Sequence, residues 1–123
     1  GAAGAALAET QTYAATLAAP AGISSTGKGT GVFTYDTATK ALTYKVDYSG
    51  LTGPATMAHI HGPAEPGANA GVLVPFAGVA NPFSGTATLT DDQAAALQAG
   101  KTYVNIHTAA NRGGEIRGQI TRQ

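Results

Sequence analysis

Ala41-Leu42-Thr43-Tyr44-Lys45-Val46-Asp47-Tyr48 alternates apolar and polar side chains without a slip. Leu42, Tyr44, Val46 and Tyr48 fall on one face, Thr43, Lys45 and Asp47 on the other. Successive side chains of a β-strand point to opposite sides of a sheet, so the run reads as a strand with one face on a core. The preceding Gly29-Thr30-Gly31-Val32-Phe33-Thr34-Tyr35-Asp36 alternates more loosely, and Asp36-Thr37-Ala38-Thr39-Lys40 supplies a turn between them. Together they make a hairpin.

Working outward, strand-like runs recur at short intervals. Gln11–Leu17 precedes Pro20, and Thr56–His61 follows the turn-rich break Gly50–Pro54. Beyond the Gly- and Pro-rich loop Gly62–Ala70 lie Gly71–Phe76, Phe83–Leu89, Lys101–Thr108 and Glu115–Thr121. One helix interrupts them near 91–98. Thr90 is placed as its N-cap, Asp91 and Asp92 suit the positive end of its dipole, and Gly100 stops it. Leu89, Ala94 and Leu97 would pack inward. About eight short strands and one short helix imply an all-β fold, an antiparallel β-sandwich or barrel.

Residues 1–9 read as a flexible N-terminal segment and residues 10–123 as a single β domain, large enough to form a core without disulfides. The first residues, Gly1-Ala2-Ala3-Gly4-Ala5-Ala6, read as a trimmed end or one left by removal of a targeting segment. An extracytoplasmic (periplasmic or secreted) location is the expectation.

Seven Lys and Arg balance seven Asp and Glu. So neutral a chain has neither the basic footprint of a nucleic-acid binder nor a polybasic run for an anionic membrane. No window approaches the length of an apolar transmembrane helix. Cysteine is absent, which excludes thiolate catalysis, cysteine-ligated clusters and a blue-copper site.

The three histidines carry the chemistry. His59 and His61 flank Ile60 at strand spacing and so share a face, and His107 ends Tyr103-Val104-Asn105-Ile106-His107-Thr108 with Tyr103 and Asn105 on its side. Three imidazoles with no thiolate suit copper(II), and zinc less selectively. Three protein ligands leave a coordination position open. Met57, on the face of His59 and His61, and Glu65 in the following loop are candidate fourth ligands. Asn105, Glu115, Arg117 and Arg112 are candidates for the surrounding shell: Glu115 to orient an imidazole through its free nitrogen, Arg117 or Arg112 to attract a small anion. The competing account of Glu115, Arg117 and Gln119 is a solvated strand face with a diagonal ion pair. Serines lie in no nucleophile elbow, so no catalytic residue is assigned.

Met57-Ala58-His59-Ile60-His61-Gly62-Pro63-Ala64, Gly85–Thr90, Leu97–Thr108 and Gly113–Ile120 resemble the CHRD (chordin-type) domain family over nearly the whole chain from about Gln11. The resemblance implies a compact β-sandwich or barrel, often secreted. More faintly, His59-Ile60-His61 and Thr102–His107 are similar to the copper-ligand segments of Cu,Zn superoxide dismutases. The chain lacks the bridging histidine, zinc-loop histidines and disulfide cysteines of that family, so a zinc-bridged site is not implied. What the likeness implies is a three-histidine copper site. The expected function is therefore extracytoplasmic copper binding and handling, or redox chemistry on a small oxidant. The alternative is a protein- or matrix-interaction module whose histidines are structural.

Overall fold

The computed structural model describes residues 7–123. Nine strands and one helix follow in the order β1 (Thr10–Ala18), β2 (Lys28–Asp36), β3 (Ala41–Ser49), β4 (Ala55–His61), β5 (Val72–Pro75), β6 (Phe83–Thr88), α1 (Asp91–Gln98), β7 (Tyr103–Thr108), β8 (Ile116–Gln119) and β9 (Thr121–Arg122). The sheet runs β5-β4-β7-β8-β1-β2-β3-β6, with β9 on β1, and every pairing is antiparallel. The ribbon curls into a nearly closed barrel. Its two edges meet through Phe76, just after β5, and Phe83, which opens β6, with ring centroids 5.0 Å apart.

The hairpin read from the sequence forms β2 and β3, paired from Lys28↔Ser49 to Asp36↔Ala41. Leu42, Tyr44 and Val46 are buried and Tyr48 packs against the same core. Tyr13, Ala15 and Leu17 of β1, Phe33 and Tyr35 of β2, Ile60, Val104, Ile106 and Ile116 complete the barrel interior. Burying such side chains stabilises the fold by roughly 1.5–3 kcal/mol each before chain entropy opposes it.

Helix α1 closes one end of the barrel. Thr90 Oγ1 accepts the Gln93 amide at 3.2 Å and Gln93 Oε1 accepts the Thr90 amide at 2.8 Å, a reciprocal capping box. Gly100 takes the left-handed conformation (φ +74) that ends it. Leu89, Ala94 and Leu97 are buried as the pattern required.

Two features differ from the sequence reading. The final run is two strands, not one, which makes nine in all: Ile120 turns fully inward, its amide donating to Thr102 O, and whereas β8 lies between β7 and β1, β9 pairs with β1 alone. At this seam Gly118 lies so close to β1 that a Cβ would overlap the Thr16 carbonyl. Of the N-terminal segment, residues 1–6 lie outside the described residues, and Glu9 is tied to the β2–β3 turn: its carbonyl accepts the Thr37 amide and its amide donates to Thr37 Oγ1.

Candidate metal centre

The outward face of β4 carries Met57, His59 and His61, and the outward face of β7 carries Tyr103, Asn105 and His107. Their register is Met57↔His107, His59↔Asn105 and His61↔Tyr103. Ile60, Val104 and Ile106 point the other way into the core. The imidazoles therefore meet outside the barrel, and one ligand nitrogen from each lies within 4.8 Å of the others. His59 Nδ1 and His107 Nε2 are 3.2 Å apart.

This face is not open. The β4–β5 loop and the β7–β8 loop fold over it, so all six residues of β7 are buried. Each loop presents one main-chain carbonyl to one imidazole. His61 Nδ1 lies 3.0 Å from Ala70 O, and His107 Nδ1 lies 2.7 Å from Arg112 O. A carbonyl can only accept, so in both rings Nδ1 carries the proton and Nε2 keeps its lone pair. His61 Nε2 is buried and has no hydrogen-bond partner.

The β8 side chains hold the loops in place. Arg117 donates to Asn69 Oδ1 at 2.8 Å and Ala68 O at 2.7 Å, while its guanidinium lies 3.7 Å from the centroid of the Tyr103 ring. Tyr103 stacks on His61 and accepts the Ala70 amide at 3.0 Å. Gln119 Nε2 reaches Ala64 O and Gly100 O. Glu115 anchors the second loop. Its carboxylate accepts from Ser25 Oγ (2.6 Å), Thr52 N (2.9 Å), Thr52 Oγ1 (2.5 Å), Thr108 Oγ1 (2.8 Å) and Asn111 Nδ2 (3.1 Å). Burial would raise the Glu115 pKa, but the donors from Ser25, Thr52 and Thr108 outweigh it and hold the carboxyl at about 2.

These contacts correct two expectations. Glu115 bonds none of the imidazoles, because its acceptor sites are filled from three segments of chain; it acts on His107 only through the loop it fixes. Nor do Glu115, Arg117 and Gln119 form a solvated face: Glu115 is fully buried, and the ion pairs among the described residues are Lys40–Asp91 and Lys101–Glu65. Arg112 contributes its carbonyl, not its charge, to the imidazole beside it. Asn105 donates to Gly113 O at 3.0 Å and packs its Oδ1 against Gly114, whose positive φ (+123) keeps the chain close there. Glu65 is exposed and faces Lys101 at 3.7 Å, outside the cluster. Met57 stands at the edge of the cluster, half exposed.

Sequence reasoning missed the parts played by Ala70, Gln119, Ser25 and Thr52. Two residues left a signal: Tyr103 alternates in step with Asn105 and His107, and Gln119 in step with Glu115 and Arg117. A cleft of about 600 Å³ runs beside the imidazoles rather than over them, walled by Pro20, Ile23, Asn69, Asn105 and Arg117 among others.

His59 and His61 both have lowered pKa values. Desolvation is the main cause for each; the charges of His107 and His61 add to it at His59, and those of His107 and Arg117 at His61, where the Ala70 bond opposes. Both rings are therefore neutral at pH 7 and able to offer lone pairs. Two nitrogens bound to one ion at about 2.0 Å stand roughly 3–4 Å apart, depending on angle. The donor set fits a borderline-soft divalent ion such as copper(II) or zinc.

A family model for the CHRD domain matches residues 4–120. No curated protein and no solved structure matches the chain significantly. With the match spanning nearly its full length, the chain belongs to the CHRD domain family.

Proposed function

We propose that this domain binds copper outside the cytoplasm through His59, His61 and His107, and that its role is to hold or hand on the ion. The observation that carries this reading is the buried, partnerless Nε2 of His61, in a ring whose neighbours are His59 and His107. Without a cation, a proton on His59 Nδ1 can satisfy His107 Nε2, but nothing satisfies His61 Nε2. A buried acceptor left unpaired costs about 1–3 kcal/mol. A shared cation removes that cost and uses all three lone pairs.

Copper is favoured over zinc because an all-imidazole site binds copper(II) more tightly than zinc in the general affinity order of divalent ions. An extracytoplasmic setting accords with a family that is often secreted. Reversible binding needs only the half-buried His59 edge as a route of entry; redox chemistry on a small oxidant would use the same open position.

The test is copper(II) titration of metal-free protein with electron paramagnetic resonance. The expected result is one equivalent bound with nitrogen hyperfine structure, lost in His59→Ala, His61→Ala and His107→Ala while circular dichroism is unchanged. Protein that takes up no copper(II) in excess, yet unfolds on the same substitutions, would overturn the reading in favour of structural histidines.

A further inference from the structure

Met57 is the sole methionine of a chain with no cysteine, so its thioether is the protein's one sulfur atom. It stands half exposed at 50%, on the outward face of β4 that also carries His59 and His61. Met57 is the cross-strand partner of His107 and lies two residues before His59 on the same face. Directly paired strand residues have Cβ atoms about 5 Å apart. A methionine has three rotatable side-chain bonds and a polarisable sulfur, and half of this one is open to solvent.

We propose that Met57 Sδ is a fourth ligand that engages copper(I), so that the site retains the ion in both oxidation states. This rests on the copper reading above and extends it. Thioether sulfur is a soft donor and selects copper(I) over copper(II), whereas imidazole serves both. Three imidazole nitrogens, two of them on rings fixed by backbone carbonyls, and one mobile sulfur at the rim divide the work. The imidazoles hold the ion in place, and the sulfur closes on it when it is reduced and swings away when it is not. An exposed thioether is also the ligand an incoming acceptor can displace first.

The experiment compares the wild-type domain with Met57→Leu, which keeps the apolar bulk and removes the sulfur. Copper(I) affinity is measured anaerobically under ascorbate by competition with bicinchoninate. Copper(II) affinity is measured by titration, and X-ray absorption is recorded on both loaded forms. The expected result is a sulfur scatterer in wild-type copper(I) protein, absent in the copper(II) form and in Met57→Leu. Because the chain has one sulfur atom, that scatterer can only be Met57. Copper(I) affinity should fall at least about tenfold in Met57→Leu, the lower end of what an outer-shell partner costs, with copper(II) affinity unchanged. A nitrogen-only copper(I) shell with equal affinities in both proteins would overturn the role of Met57 and leave the three-histidine site standing. Failure of the wild type to bind copper(II) would instead overturn the site.

Discussion

The rings of His61 and Tyr103 lie within 7° of parallel with their centroids 5.0 Å apart. One imidazole is thus held in its plane by stacking and in its rotation by the Ala70 carbonyl. Arg117 completes the assembly, over the Tyr103 ring and bonded to the loop that carries Ala70.

Arg117→Lys keeps the charge and loses the planar fork, so both loop bonds and the stack cannot be made together. The expected outcome is faster amide hydrogen exchange at Asn69 and Ala70 and copper affinity lower by roughly 10- to 100-fold, as for other outer-shell partners. Unchanged exchange and affinity would mean the loop docks without the guanidinium.

His61→Phe separates a ligand from a structural histidine. Phenylalanine keeps the stack on Tyr103 and removes both the Nδ1–H bond and the unpaired Nε2. Metal-free stability should change by less than about 1 kcal/mol, since one lost bond is offset by one relieved acceptor. Copper binding should be abolished. A large loss of stability in calorimetry would show that the ring is needed by the fold itself.

Glu115→Gln removes a buried charge that five donors surround. Leaving such a network half satisfied costs about 3 kcal/mol, visible as a lower urea midpoint at pH 7. The acid dependence should flatten. With the folded pKa held at about 2 against an ordinary 4.5, the carboxylate's contribution is complete above pH 4.5 and disappears as pH falls toward 2. The wild type should lose stability steeply across that window and the glutamine variant hardly at all.

Histidine burial acts in the same direction at higher pH. His59 and His61 titrate below the ordinary 6.5 in the folded protein, so the unfolded chain binds the more protons and metal-free stability rises with pH through this range. Thermal melts between about pH 5 and 8 should show it. Because protons compete less for these rings than for free imidazole, copper should be retained below pH 6.5. Its release at the free-imidazole pKa would count against desolvated ligands.

Much of this was legible in the sequence because it depends on neighbours along the chain. The alternation of Leu42, Tyr44 and Val46, the Thr90–Gln93 cap and the i, i+2 spacing of His59 and His61 are local facts. Pairing β4 with β7 needed only two compatible strands. The covering of the site was not legible. Alternation placed Glu115 on an outer face, and it is outer, but Ser25, Thr52 and Asn111 arrive over it from loops up to 90 residues away. No periodicity reports where a loop folds back. The break at Ile120 was hidden for a similar reason, since both halves alternate correctly and only the loss of β7 as a neighbour divides them.

The rotation of the His61 and His107 rings is set by the peptide groups of residues 70 and 112. Any amino acid at either position offers the same oxygen, so point substitutions there leave the tautomers untouched. Inserting or deleting a single residue in either loop would shift that oxygen by several ångströms. The orientation of these two rings is therefore written in loop length, and the identity of residues 70 and 112 is free so long as Asn69 and Asn111 keep the loops docked.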